Sequence, residues 1–202
     1  MAFLEFIAGF GRTKGGSSLF KMRRGWFCLL LFILSFAGCD ATRAQETREY
    51  QLKAAFLFNF AQFVRWPPGC FAGANAPFCI GILGADPFGN ALEETIRGET
   101  IESHKLIVVR SARIEDLQNC QMIFVSRSEG DHVGEILSQL GAKPILTVSD
   151  ADSFARDGGA IDFYLAGGKV RFEINPGAAQ RRGLKISSQL LSLGKIVQSG
   201  GN

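Results

Sequence analysis

Phe78-Cys79-Ile80-Gly81-Ile82-Leu83-Gly84-Ala85-Asp86-Pro87-Phe88-Gly89 is a short apolar run that ends in a turn of Gly, Asp and Pro. Strand, glycine turn, then helix opens an open α/β sheet, and in many such folds that turn cradles a phosphate. Here it does not have the chemistry. The glycines are not spaced Gly-x-Gly-x-x-Gly, and no Gly-Lys-Ser/Thr follows. Asp86 and Pro87 place an acid and a blocked N–H where a phosphate needs free donors. The stretch predicts a strand at Cys79–Leu83 and a structural turn.

Working outward, apolar runs and helical segments alternate. Phe88–Ile96 fits a helix, Leu106–Val109 a buried strand, Ile114–Leu117 a helical turn and Met122–Val125 a third strand. Val133–Leu140 reads as a helix closed by Gly141, Ile145–Val148 as a fourth strand, and Asp152–Arg156 as a short helix. This rhythm predicts βα units and a mainly parallel, Rossmann-like sheet flanked by helices. It then changes. Ile161–Leu165 and Lys169–Ile174, separated by Ala166-Gly167-Gly168, predict a C-terminal antiparallel hairpin that ends the sheet. Pro176–Arg182 reads as a short helix. Ser187-Ser188 caps a last helix whose core face is Leu190, Leu191, Leu193, Ile196 and Val197.

Upstream, Tyr50–Trp66 predicts a helix stopped by Pro67-Pro68. Leu52, Phe56, Phe60 and Phe63 form one stripe, extended by Ala55, Phe58 and Val64. Coverage this wide implies deep burial or a second, partner-facing side. Lys53, Asn59, Gln62 and Arg65 argue against a membrane span. Gln45–Glu49 reads as a polar linker, and residues 50–198 as one domain.

Residues 1–44 read as a targeting region. Lys21, Arg23 and Arg24 precede the apolar run Trp26–Ala37 and then small residues, the pattern of a secretory signal. Met22 begins a more typical signal than Met1. Thr42-Arg43-Ala44 resembles an ordinary cleavage site, giving a soluble protein. Phe36-Ala37-Gly38-Cys39 resembles a lipobox that would make Cys39 a lipid anchor. Either cleavage, or an uncleaved membrane anchor, places the domain outside the cytoplasm.

The formal charge of +3 comes from this region. It carries six Lys/Arg against two acids, of 22 and 19 in the whole chain, which leaves 16 basic and 17 acidic groups downstream. A near-neutral domain lacks the basic excess that nucleic-acid binding draws on. The two histidines, His104 and His132, read as surface residues. There is no HExxH, CxxC or Gly-x-Ser-x-Gly pattern, so no metal, cofactor or catalytic constellation is expected.

Three cysteines lie beyond the targeting region: Cys70, Cys79 and Cys120. Cys79 opens the first strand and Cys120 immediately precedes the third. In a sheet of order 2-1-3 these strands are parallel neighbours, and their first residues lie within disulfide reach. An oxidising compartment favours the bond. Cys70 would then be free or pair between chains; alternatively one or more of the three is an inert thiol.

The ordered set Lys53-Ala-Ala-Phe-Leu-Phe-Asn-Phe, Phe63-Val-Arg-Trp-Pro, Cys79-Ile-Gly-Ile-Leu-Gly, Cys120-Gln-Met-Ile-Phe-Val-Ser, Ile145-Leu-Thr-Val-Ser-Asp, Gly158-Gly-Ala-Ile-Asp-Phe, Val170-Arg-Phe-Glu-Ile-Asn and Gly183-Leu-Lys-Ile-Ser-Ser-Gln-Leu-Leu resembles the YfiR (YfiR/HmsC-like) family. The likeness runs over nearly all of Glu49–Val197. It implies a non-enzymatic periplasmic repressor that binds the sensor domain of a membrane diguanylate cyclase (YfiN-like) and keeps cyclic di-GMP and biofilm output low. It also implies a homodimer and a redox-sensitive disulfide at Cys79 and Cys120. A second disulfide of the family, nearer the C-terminus, has no counterpart, since no Cys follows Cys120. Phe56, Phe60, Phe63, Trp66 and Leu191 are the expected partner or dimer surface. The alternative function is a periplasmic small-molecule-binding module serving a transporter or histidine-kinase sensor.

Overall fold

The computed structural model describes residues 45–200. The targeting region, with Met22 and Cys39, lies outside the described residues. The domain is a mixed α/β sheet flanked by helices. A long helix α1 (residues 45–63) runs into the two-residue strand β1 (Val64–Arg65). Then follow β2 (Phe78–Leu83), α2 (Ala91–Ile96), β3 (Thr100–Ile101), β4 (His104–Ser111) and β5 (Met122–Val125). Next come α3 (Val133–Leu140), β6 (Leu146–Ser149), β7 (Ile161–Ala166), β8 (Lys169–Ile174) and α4 (Pro176–Arg181). The chain closes with β9 (Lys185–Ile186), α5 (Ser188–Leu193) and β10 (Lys195–Ile196).

The main sheet has the order β10-β8-β7-β6-β5-β2-β4-β3. β4, β2, β5, β6 and β7 pair in parallel, so the first three of these strands in sequence do lie in the order 2-1-3. β7–β8 and β3–β4 are antiparallel. All six residues of β2 and all four of β5 are buried, as strands covered on both faces must be.

One face of the sheet packs under α1, because the α1 stripe meets the aromatics of β7 and β8. Phe60 lies 5.1 Å from Phe172 and 5.5 Å from Phe163, ring centre to centre, and Phe56 lies 5.4 Å from Phe172. The other face holds a second core, with Leu117, Ile123, Ile136, Leu140 and Phe154.

Several expectations are corrected. Residues 45–49 are helical rather than a linker. The first helix stops at residue 63, because Trp66 precedes a proline and is biased to extended backbone. Val64 and Arg65 instead pair with Ile186 and Lys185 of β9. Trp66 turns inward and its Nε1 donates to the Ala61 carbonyl, satisfying a group at the helix end. Asp152–Arg156 is a series of turns, with Ser153 left-handed at φ 66°. The last helix ends at Leu193. A Cβ on Gly194 would lie 2.6 Å from the Phe172 ring, so only glycine lets the chain cross here. Beyond it Lys195 and Ile196 pair in parallel with Glu173 and Ile174. β8 is therefore not the edge of the sheet, and Leu193 and Ile196 are exposed rather than core.

Candidate functional site

The opening turn is filled by protein. Gly84 adopts φ 86°, and a Cβ there would fall 2.5 Å from Ser128 Oγ and Glu129 Oε1. Ala85 N donates to Ser128 Oγ, and Phe88 N donates to Asp86 Oδ1. Arg110 reaches back from β4 to donate to Asp86, Glu93 and the Gly89 carbonyl. These hydrogen bonds hold the Arg110 guanidinium charged and the Glu93 carboxyl below its ordinary range. A carboxylate and a seryl oxygen thus occupy the place of a phosphate.

At the opposite, amino-terminal end of the strands, Cys79 and Cys120 are joined as a disulfide within the second core. Gln121 fixes this end. Its Oε1 accepts from Cys79 N and its Nε2 donates to the Cys70 carbonyl. Cys70 itself is a free thiol, and burial raises its pKa.

The largest feature the sequence reading missed is ionic and buried. Lys53 on α1 is 2% exposed and Asp150, just past β6, is 1% exposed. Lys53 Nζ sits 2.7 Å from Asp150 Oδ2 and 2.6 Å from Glu49 Oε1. Tyr50 OH donates to the same Asp150 oxygen, and burial followed by that contact raises the Tyr50 pKa. Arg127 donates twice to the Asp150 carbonyl. The one available signal was a lysine set within an apolar helical stretch. The cluster locks the first turns of α1 onto the carboxyl end of the sheet.

A second network crosses β7 and β8. Glu173 accepts from Arg156 and Lys195, and the Arg156 hydrogen bonds hold its carboxyl below the ordinary range. Asp162 sits directly opposite Glu173 in register, and its Oδ1 has no partner. Burial, then the Glu173 charge, pushes the Asp162 carboxyl up to about 7 from 3.8. The folded protein therefore keeps a proton that the unfolded chain releases. Asp162 costs stability progressively as pH rises from about 4 to about 7, and fully above that. Asp162→Asn is expected to stabilise the protein at pH 8 by up to about 4 kcal/mol, the gain fading towards pH 4. Denaturant midpoints across that range measure it; a variant with the parent's pH profile would refute the assignment.

The five expected contact residues divide. Phe60 and Trp66 are buried inside the domain, whereas Phe56, Phe63 and Leu191 are half-buried. Phe63 borders a groove of about 390 Å³ with Arg65, Glu102, Lys185 and Ile186. Of the histidines, His104 is half-buried, stacks on Phe71 at 3.7 Å and meets the Ala76 carbonyl; His132 is exposed. Among the described residues, no cluster of His, Cys, Asp and Glu is placed to hold a metal ion, and no helix is long and apolar enough to cross a membrane.

Among solved structures the chain is similar to a conserved domain protein from Vibrio cholerae O1 biovar El Tor, at 13% identity and a TM-score of 0.44. That likeness covers 59% of this chain and 54% of the other, so the chain spans about half of that protein's length. The YfiR/HmsC-like family model matches residues 50–195, from the tyrosine of the buried cluster to the last strand. With that match spanning the whole sheet and the helix locked across it, the chain belongs to the YfiR/HmsC-like family.

Proposed function

We propose that the protein is a periplasmic negative regulator that binds the sensor domain of an inner-membrane diguanylate cyclase and lowers cyclic di-GMP signalling. The observation that carries this reading is the family match over residues 50–195. The task needs no chemistry. A protein that binds one conformer of the cyclase better than the other shifts its population by that difference in affinity. The half-buried Phe56, Phe63 and Leu191, with exposed Leu52 and Leu193, offer apolar contact area, and the buried Phe60 stacks on Phe56 at 6.0 Å.

Deleting the gene and measuring cellular cyclic di-GMP tests the reading. A rise that is reversed by restoring the gene is expected, and an unchanged level would overturn it. The groove beside Phe63 favours the second reading, a small-molecule-binding module. That reading expects a soluble ligand to raise the melting temperature of the purified protein and expects no response of cyclic di-GMP to the deletion.

A further inference from the structure

The β7–β8 hairpin outruns the sheet it belongs to. β6 pairs only with Ile161 and Asp162 of β7, and β10 only with Glu173 and Ile174 of β8. From Phe163↔Phe172 to Ala166↔Lys169 the two strands pair with each other alone. At the rise of a strand, this carries the arm about 10 Å beyond Phe163. α1 covers the root, where Phe56 and Phe60 pack on Phe163 and Phe172. Further out the arm is bare. Leu165 is 53% and Tyr164 36% exposed, and Lys169 and Arg171 are exposed too. Alternation sorts these residues by face. Leu165, opposite Val170, shares the α1 side with Phe163, whereas Tyr164, opposite Arg171, lies with Lys169 on the other side. Leu52, one helical turn before Phe56, adds exposed apolar surface on the α1 side. Residues 163–172 hold two cations and no acid. At the root, Asp162 is buried and Glu173 is engaged by Arg156 and Lys195.

We propose that this arm docks the domain on an anionic lipid surface. Leu165, Val170 and Leu52 enter the boundary between headgroups and acyl chains, and Tyr164 sits at headgroup level. Lys169 and Arg171 meet the lipid phosphates. The unpaired strand edges stay in the hydrated headgroup layer, because hydrocarbon would leave their N–H and C=O groups without partners. Charge selects an anionic partner. The side chains favour lipid over an acidic protein: beyond two cations and one phenol, the arm offers only apolar residues and glycine, with nothing to read a particular surface. Placement agrees. Residues 163–166 extend past the carboxyl end of β6, where Asp150 holds Tyr50 and Lys53. The chain therefore enters α1 from the end at which the arm projects. The stretch from Cys39 to Gln45 reaches about 20 Å at most, so an anchor at Cys39 would hold this same end against a membrane. The docking does not rest on the proposed regulatory function.

Vesicle sedimentation of the processed, exported protein, combined with amide exchange, tests this. The expected result is binding to vesicles containing phosphatidylglycerol, weakened by salt, with the amides of residues 164–171 exchanging more slowly on them. Phosphatidylcholine vesicles should leave those amides unchanged. Lys169→Ala/Arg171→Ala should weaken binding about 30-fold, roughly fivefold for each cation near an anionic surface. Leu165→Ser should also weaken it, and both variants should keep the parent's melting curve, since these side chains are exposed. Arg97→Ala/Arg113→Ala removes the same charge from exposed positions elsewhere and should bind as the parent does. No binding to the anionic vesicles would overturn the proposal and leave an acidic protein as the arm's partner. So would binding that leaves the arm's exchange unchanged and ignores the arm variants, the signature of a lipid anchor acting alone.

Discussion

Asp150→Ala is expected to lower stability by about 3 kcal/mol, the lower end of the range for breaking a buried ion pair. The loss comes from what stays behind. Lys53 would remain buried with its charge facing a cavity, its one remaining ion pair that with Glu49, and the Tyr50 hydroxyl would lose its acceptor. Lys53→Met should cost a similar amount, because Asp150 would keep a buried charge with Tyr50 as its remaining side-chain donor. The Lys53→Met/Asp150→Leu double variant should be more stable than either single one, since replacing both partners removes the uncompensated charge. Urea midpoints of the four proteins decide the matter. Costs that simply add would show that the two groups act independently.

Breaking the Cys79–Cys120 bond is expected to be the other large effect. The bridge spans 41 residues, and the chain-entropy relation gives about 4 kcal/mol for a loop of that length. The native protein should therefore unfold at a much lower denaturant concentration with dithiothreitol than without. Cys79→Ser/Cys120→Ser should match the reduced protein and ignore the reductant. Cys70→Ser should behave as the parent does, because its thiol is unbonded. A parent midpoint that does not move on reduction would contradict the assignment.

Much of the fold was legible because its signals are local. Each of β2, β5 and β6 is a compact apolar run, and the β7–β8 hairpin is marked by Gly167-Gly168, both with positive φ. The 2-1-3 order then brought Cys79 beside Cys120. The three two-residue strands β1, β9 and β10 were not legible. Two residues carry no periodicity, and their pairing is decided by distant partners such as Val64 with Ile186. Helical spacing also carried the reading past Gly194, where contact with Phe172 and Ile174 diverts the chain. At the buried cluster, Lys53 was read only as too polar for a membrane span. Its partner lies 97 residues away, beyond what any local pattern reports. Phe60 and Trp66 were placed on a contact surface because a wide apolar helix has two sides. The sequence does not say which of them the β7–β8 aromatics and Phe78 will cover.

The β1–β9 ribbon bears on how an unfolded chain reaches this state. Its two strands lie at opposite ends of the described residues. Until Ile186 docks, Val64 has no strand partner, and until Lys195 docks, β8 has a bare outer edge. Contacts this distant in sequence close slowly. A partly folded chain therefore presents unpaired strands until these contacts form, the condition under which aggregation competes with folding.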